Sequence, residues 1–435
     1  MIIVDRALAA REAAQHPIRV GVVGAGSMAR GLIAQISGAV PGMVVAAVCN
    51  RTVGRAVDAL SAGGAGSAVL VDSPRRLDAV VAAGRPAVTD DPAVLAAASG
   101  IDCIVDATGS VEHGAHVALA AIEHGTPFVL LNAELDATLG PIVHDRARRA
   151  GVLSSCADGD QPGVELNLDR YVRGLGMVPR VLGNVKGLHD ERRTPTTQAE
   201  FAATWQQDPH MVTSFADGSK VNVEQCIVAN ATGFTVPCRG MFRRYHDGHV
   251  DELTTQYDLE QLRELGGIVD YVVGASPAPG VYCLAELGDL RHRRYLEMYK
   301  LGPGPLYSFY HPYHLCHLEV PFTVARMVLF GDVCGRPVGA PVVEVVAVAK
   351  RELRAGEVLD TFGGYLTYGQ AEDAAVVQRD RLLPQGLAEG CVLRRDLPCD
   401  SVIGWDDVVA PDGRLAHRLY AEQIARFAGE LAQAS

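Results

Sequence analysis

Short apolar runs alternate with amphipathic stretches along the first third of the chain. Ile18–Val23, Met43–Cys49, Pro86–Thr89, Ile101–Asp106 and Pro127–Asn132 read as strands. Arg55–Ser61, Pro92–Ala98 and Ile142–Ala150 read as helices, with Asp90 or Asp91 placed to cap the second. Strands that are apolar on both faces and separated by helices predict a doubly wound parallel sheet. From Cys156 onward, Pro, Gly and polar clusters break up longer mixed segments, as in an α+β domain. Within it Val221–Glu224 alternates like a half-buried strand, which would put Asn222 and Glu224 on one face. From Val342 the texture changes again: Val342–Lys350 and Arg354–Leu359 are strand-like, and Leu415–Leu431 is an amphipathic helix. The pattern divides the chain into residues 1–155, 156–338 and 339–435, with Met1–Gln15 a surface helix.

The first strand runs into Gly24-Ala25-Gly26-Ser27-Met28-Ala29, and helix-forming residues follow. This is the fingerprint of a Rossmann dinucleotide-binding unit. Gly24 makes the tight turn, Gly26 lets a pyrophosphate reach the backbone, and Ser27 and Met28 open a helix whose N–H groups hold the phosphates. Where an NAD enzyme carries an acid for the ribose, this chain has Asn50-Arg51-Thr52. A guanidinium in place of a carboxylate favours NADP(H) over NAD(H). The ligand edge of such a sheet lies at its C-terminal strand ends. Thr108, Gly109, Asn132, Ala133 and Glu134 are therefore expected along the nicotinamide half.

The formal charge of the 435 residues is −12, without a long basic run, which argues against nucleic acid and anionic membranes as partners. No apolar stretch has transmembrane length, and the start lacks the apolar core of a signal peptide. Ten scattered cysteines without a Cys-x-x-Cys point to reduced thiols and a cytoplasmic protein.

Three pieces carry a family likeness: the Gly24–Gly31 fingerprint with Asp106-Ala107-Thr108-Gly109; Gly159-Asp160-Gln161-Pro162-Gly163 followed by Gly183-Asn184-Val185-Lys186-Gly187-Leu188; and the tail from Val342. Together they resemble the homoserine-dehydrogenase-like oxidoreductases with a C-terminal SAF domain, a small β-clip module, including the deoxyxylulose-phosphate-reductoisomerase-like group. The resemblance implies a Rossmann domain, an α+β catalytic domain and a SAF-like tail. It departs in two places. Asn132-Ala133-Glu134 lacks the lysine expected of a homoserine dehydrogenase, and the metal-binding Asp-Ser-Glu of ordinary reductoisomerases is missing.

Reducing a carbonyl requires a group that stabilises the developing alkoxide. Lys186, flanked by glycine, is the first candidate, with Asp190 to balance its charge. Asp158 and Asp160, two apart on a loop, suit a divalent Mg or Mn ion or a base with its orienter, and Glu134 is a further oxygen donor. Lys300 lies on a Gly/Pro-rich loop, and His311 lies near a helix expected to start at Pro312; both are substrate-binding candidates. Asp190–Pro195 supplies two arginines for a substrate phosphate. The expectation is an NADP(H)-dependent oxidoreductase, forming a homo-oligomer, that reduces a small polyhydroxylated substrate, phosphorylated or not. Its sharpest version is a 1-deoxy-D-xylulose 5-phosphate reductoisomerase-like reaction. The alternatives are a metal-independent polyol or homoserine-type dehydrogenase and a non-catalytic NADP-binding sensor or carbohydrate-binding protein.

Overall fold

Helix α1 (Val4–Ala13) buries Val4 and Leu8, one turn apart on a single stripe, and leads into β1 (Ile18–Val23). The computed structural model describes residues 3–434. Met1 and Ile2, at the start of the expected first helix, lie outside them. Strand and helix then alternate: α2 (Ser27–Ala39), β2 (Met43–Cys49), α3 (Val53–Ala62), β3 (Val69–Leu70), α4 (Pro74–Ala82), β4 (Ala87–Thr89), α5 (Pro92–Ala96), β5 (Cys103–Asp106), α6 (Val111–His124), β6 (Phe128–Leu130), α7 (Ala133–Arg149) and β7 (Ser154–Cys156). All seven strands pair in parallel in the order β3-β4-β2-β1-β5-β6-β7. The order reverses between β1 and β5, the switch point beside which ligands bind in open α/β sheets. The expected caps hold: Asp91 Oδ1 accepts from the Ala93 N–H at 2.8 Å.

One boundary differs. The helix expected over 142–150 starts nine residues earlier, at Ala133, and runs through Pro141. Asn132 is its N-cap, so Ala133 and Glu134 form its first turn instead of an open strand end.

The second half contributes α8 (Gln161–Gly174), β8 (Met177–Lys186), α9 (Ala199–Thr204), α10 (Pro209–Ala216), α11 (Ser219–Thr232), β9 (Arg244–Tyr245), α12 (Leu259–Glu264), β10 (Ile268–Val273), β11 (Gly280–Leu287), α13 (Arg293–Met298), β12 (Leu306–His311) and α14 (Cys316–Phe330). After these come β13 (Val343–Ala349), β14 (Thr367–Asp373), α15 (Ala374–Arg379), α16 (Gln385–Ala388), β15 (Val392–Leu393), β16 (Val408–Val409) and α17 (Leu415–Ala434). Two compact units result. One comprises residues 3–160, 315–336 and 418–420; the other comprises 161–314, 337–417 and 421–434.

In the first unit α14 packs on α2, where a Cβ on Gly31 would meet the His317 ring at 2.6 Å. Val320, Val324, Ala325 and Met327 thereby join the core built on β1, α2 and β2. In the second unit a mixed sheet runs β12-β11-β8-β10-β9. Val181 and Val185 of β8 face an apolar cluster with Val250, Leu253, Tyr257 and Leu262. Two short antiparallel pairs, β13–β14 and β15–β16, complete it. The expected strand over 354–359 is reduced to isolated bridges, Leu353 to Leu397 and Val358 to Val392.

Val221–Glu224 is not a strand. It lies in α11, whose residues Ser219–Asn230 are all buried. On a helix, positions two apart diverge by about 200°, so Asn222 and Glu224 do not share a face. A short alternating stretch inside a fully buried helix carries no outward stripe to reveal its period. Among the described residues, no helix is long and apolar enough to cross a membrane.

Candidate active site

At the turn after β1, Gly24 has φ +111°, and a Cβ there would lie 2.9 Å from the Ala107 carbonyl oxygen. Only glycine fits both the dihedral and the approach of the β5 end. Gly26 is different: nothing lies within 4 Å of its absent Cβ, so the space above it is open. It is the N-cap of α2, and no side chain caps that helix start. Ala29 is fully buried against the sheet. An open cradle and a helix terminus without a side-chain cap fit a diphosphate. Asn50 turns its amide to the Thr52 carbonyl at 2.8 Å, and Arg51 is exposed, with no hydrogen bond or ion pair among the described residues.

The nicotinamide edge is organised by a residue the sequence reading quoted only as a strand end. Asp106 is buried at the end of β5 and accepts from Thr108 N–H at 3.0 Å, Thr108 Oγ1 at 2.7 Å and Asn132 Nδ2 at 2.9 Å. Burial pushes its acid up to about 6, against the pull of those hydrogen bonds. Asn132, itself fully buried, also donates to Thr108 Oγ1 and the Ser110 carbonyl and accepts from the Leu135 N–H. Its polar atoms are all engaged, so it shapes the edge and has no group left for a cofactor. Gly109 adopts φ 65° in the same turn, and Glu134 is buried in the first turn of α7.

The expected Asp158–Asp160 pair does not form a cation site. Both Asp158 oxygens accept from Arg326 Nη1, at 2.9 and 3.2 Å, and Thr323 Oγ1 adds a third bond. Asp160 receives the Cys316 thiol at 3.8 Å. Among the described residues no three His, Cys, Asp or Glu side chains converge to hold a metal ion. The local i, i+2 spacing predicted a chelate, but the arginine 168 positions away had no local signal.

In the second unit, Asn184 of β8 points at α8 and α11. Its Nδ2 donates to Gln161 Oε1 and, at 3.4 Å, to Glu224 Oε2. Gln161 in turn donates to Glu165 Oε1, which also accepts from Gln225 Nε2 at 2.6 Å. All five side chains are buried, and Lys220 lies nearly buried one turn before Glu224. Burial holds the Glu165 acid well above the usual carboxylate range, and nearby Glu224 adds to the shift. Lys186, two residues beyond Asn184 on the same strand face, is half-buried at the strand end, with no partner among the described residues. Glu165 and Lys220 escaped the sequence reading. The available signal was a set of charged and amide side chains inside otherwise apolar helices.

The remaining candidates do not join this cluster. Asp190 pairs with Arg193 at 2.9 Å and caps the Arg192 N–H, so it does not balance Lys186. Arg192 is bound to Asp400 and the Lys350 carbonyl, which occupies both of its terminal nitrogens, and Arg193 is held through Nε by Asp190. Lys300 is exposed with φ 70°. His311 ends β12 with its Nδ1 2.5 Å from the Tyr313 carbonyl, and the helix expected at Pro312 starts only at Cys316.

Residues 159–320 match the family model described as oxidoreductase DRL, catalytic domain. No curated protein matches the chain. Among solved structures it is similar to myo-inositol dehydrogenase from Lactobacillus casei in complex with NAD(H) and myo-inositol (16% identity, 41% of this chain, 49% of that one, TM-score 0.30). It is also similar to a 3-ketoreductase from Actinomadura kijaniata in complex with TDP-benzene and NADP (13%, 72%, 90%, 0.35). A probable dehydrogenase from Thermotoga maritima is a third (12%, 74%, 91%, 0.38). The chain spans about half the length of the inositol dehydrogenase. The family match and the Rossmann turn agree with the expectation of an NAD(P)-dependent oxidoreductase.

Proposed function

We propose that the chain is an NADP(H)-dependent oxidoreductase that reduces a carbonyl of a small polyhydroxylated substrate. The observation that carries this reading is the turn at Gly24–Ser27, where an open Gly26 cradle meets a helix start without a side-chain cap. The family match over 159–320 supports an oxidoreductase catalytic domain in the same chain. When bound, the nicotinamide supplies the hydride. Gly26, Ser27 and Met28 hold the diphosphate, and the unpaired Arg51, with no carboxylate at 50–52, favours the 2′-phosphate of NADP(H). Thr108 and Gly109, held by Asp106 and Asn132, shape the nicotinamide edge. Lys186 gives a hydrogen bond or proton to the developing alkoxide, and Asn184 and Gln161 hold its strand end in a fixed polar setting. A reductoisomerase-type conversion of 1-deoxy-D-xylulose 5-phosphate is the sharpest version, with residues 339–435 a SAF-like tail and the protein a homo-oligomer.

The test is NADPH consumption against a panel of sugar phosphates, polyols and 1-deoxy-D-xylulose 5-phosphate. At least one substrate is expected to turn over. Lys186→Ala should then lose about 100-fold or more in kcat with NADPH affinity kept. Absence of NADPH binding removes the whole reading, and full activity in Lys186→Ala removes the lysine.

A further inference from the structure

The second unit contains a polar cavity of about 110 Å3 that the proposed oxidoreductase chemistry does not use. Tyr271 of β10, residues 239–243 and Tyr368–Gln370 of β14 line it. The 239–243 loop is strained: Met241 and Arg243 take φ 66° and 51°, a region that side chains other than glycine rarely adopt. Such strain persists only where the surroundings enforce it, and it concentrates at functional sites. Here the Arg243 N–H is tied to Asp270 Oδ1 at 3.1 Å. The next residue, Arg244, lies over the rings of Phe242 and Tyr257, 4.8 and 4.3 Å from their centres.

The strained loop brings two guanidiniums to one wall, each occupied on one side only. Arg239 donates through Nε to Glu372 at 2.6 Å. Arg243 uses Nη1 for Glu191 and for His189, the latter at 2.9 Å. Both terminal nitrogens of Arg239, the Nε and Nη2 of Arg243, and the Gln370 amide have no partner among the described residues. A guanidinium edge with parallel donors matches an oxyanion. The carboxylates already present hold the opposite edges, so a ligand need not displace them.

We propose that this cavity binds the oxyanion of a small molecule, a phosphate ester or a carboxylate, on the open edges of Arg239 and Arg243 beside Gln370. The proposal does not depend on the cofactor reading. Calorimetric titration of the full chain at constant ionic strength, with glycerol 3-phosphate in one arm and glycerate in the other, tests it. Saturable binding of at least one is expected; the arm that binds identifies the oxyanion, and glycerol alone should not bind. Arg239→Gln and Gln370→Glu should each weaken it at least tenfold while NADPH affinity stays unchanged. Thermal unfolding checks that each variant is folded; if Arg239→Gln is not, Gln370→Glu decides, since that side chain has no partner to lose. Failure of both anions to bind the wild type, or wild-type affinity in the folded variants, would overturn the proposal.

Discussion

Two glycines two residues apart, Gly24 and Gly26, should behave in opposite ways, and the contrast isolates the cofactor site from the fold. Gly26→Ala adds a Cβ into empty space at φ −77°, a conformation alanine adopts freely. Its cost to stability is that of alanine at an N-cap, about 0.5–1 kcal/mol. The same methyl group stands where the diphosphate must approach the first N–H groups of α2. Losing one hydrogen bond to a charged oxygen, at about 1.5–3 kcal/mol, weakens NADPH by roughly 10- to 100-fold, and losing two by correspondingly more. Gly24→Ala instead places its Cβ 2.9 Å from the Ala107 oxygen with φ at +111°. Strain of about 1–3 kcal/mol plus a backbone clash should lower stability directly. Urea denaturation measures the first quantity, and fluorescence titration with NADPH the second. If Gly26→Ala bound NADPH as tightly as the wild type, the diphosphate would not sit on this turn.

Three further outcomes are expected. Arg51→Ala should weaken NADPH and leave NADH unchanged, read as the ratio of the two dissociation constants; an unaltered ratio removes Arg51 from the specificity argument. Asp106 is raised from its ordinary range to about 6, so the folded state holds its proton more tightly than the unfolded chain does. Its stabilising share is present at low pH and is lost as pH rises through about 4 to 6. The loss amounts to about 3 kcal/mol. Urea midpoints across that window should therefore fall more steeply for the wild type than for Asp106→Asn, and parallel curves would contradict the assignment. Lys350 donates to Asp217 at 2.8 Å and to the carbonyls of Arg193 and Gly364, with both members of the ion pair almost wholly buried. Lys350→Ala strands the Asp217 charge and should cost about 3–5 kcal/mol in the urea assay; a loss below about 1 kcal/mol would show the pair is not a clamp.

The cofactor turn was readable because its requirements are local. A buried strand, a glycine needed at φ +111° and a helix start all lie within a dozen residues. The expectation for Lys186 was also local, resting on glycines to either side, and the structure leaves that side chain unpartnered at a strand end. The Asp158–Asp160 chelate and the Asp190–Lys186 pair failed for a common reason. A carboxylate's partner is whichever cation the fold delivers, and here Arg326 and Arg193 reached them first. The α11 segment was misread because polar residues in a buried helix follow their tertiary partners. Asn222 accepts from the Ala371 N–H of β14, which no periodicity in 221–224 encodes.

What the chain determines by itself is therefore the first unit's plan: a doubly wound parallel sheet with five of its seven strands, the Gly24–Gly26 turn and the absence of an acid at the ribose position; the short edge strands β3 and β7 carry too few apolar residues to show in the pattern. These follow from hydrophobic period and backbone dihedral, which act between near neighbours. The pairing of Asp158 with Arg326, the Gln161–Glu165–Asn184–Glu224–Gln225 cluster and the two half-occupied arginines of the polar cavity come only from the folded structure. Electrostatic and hydrogen-bond partners are chosen by distance in space, after the backbone has brought together residues as much as 208 positions apart.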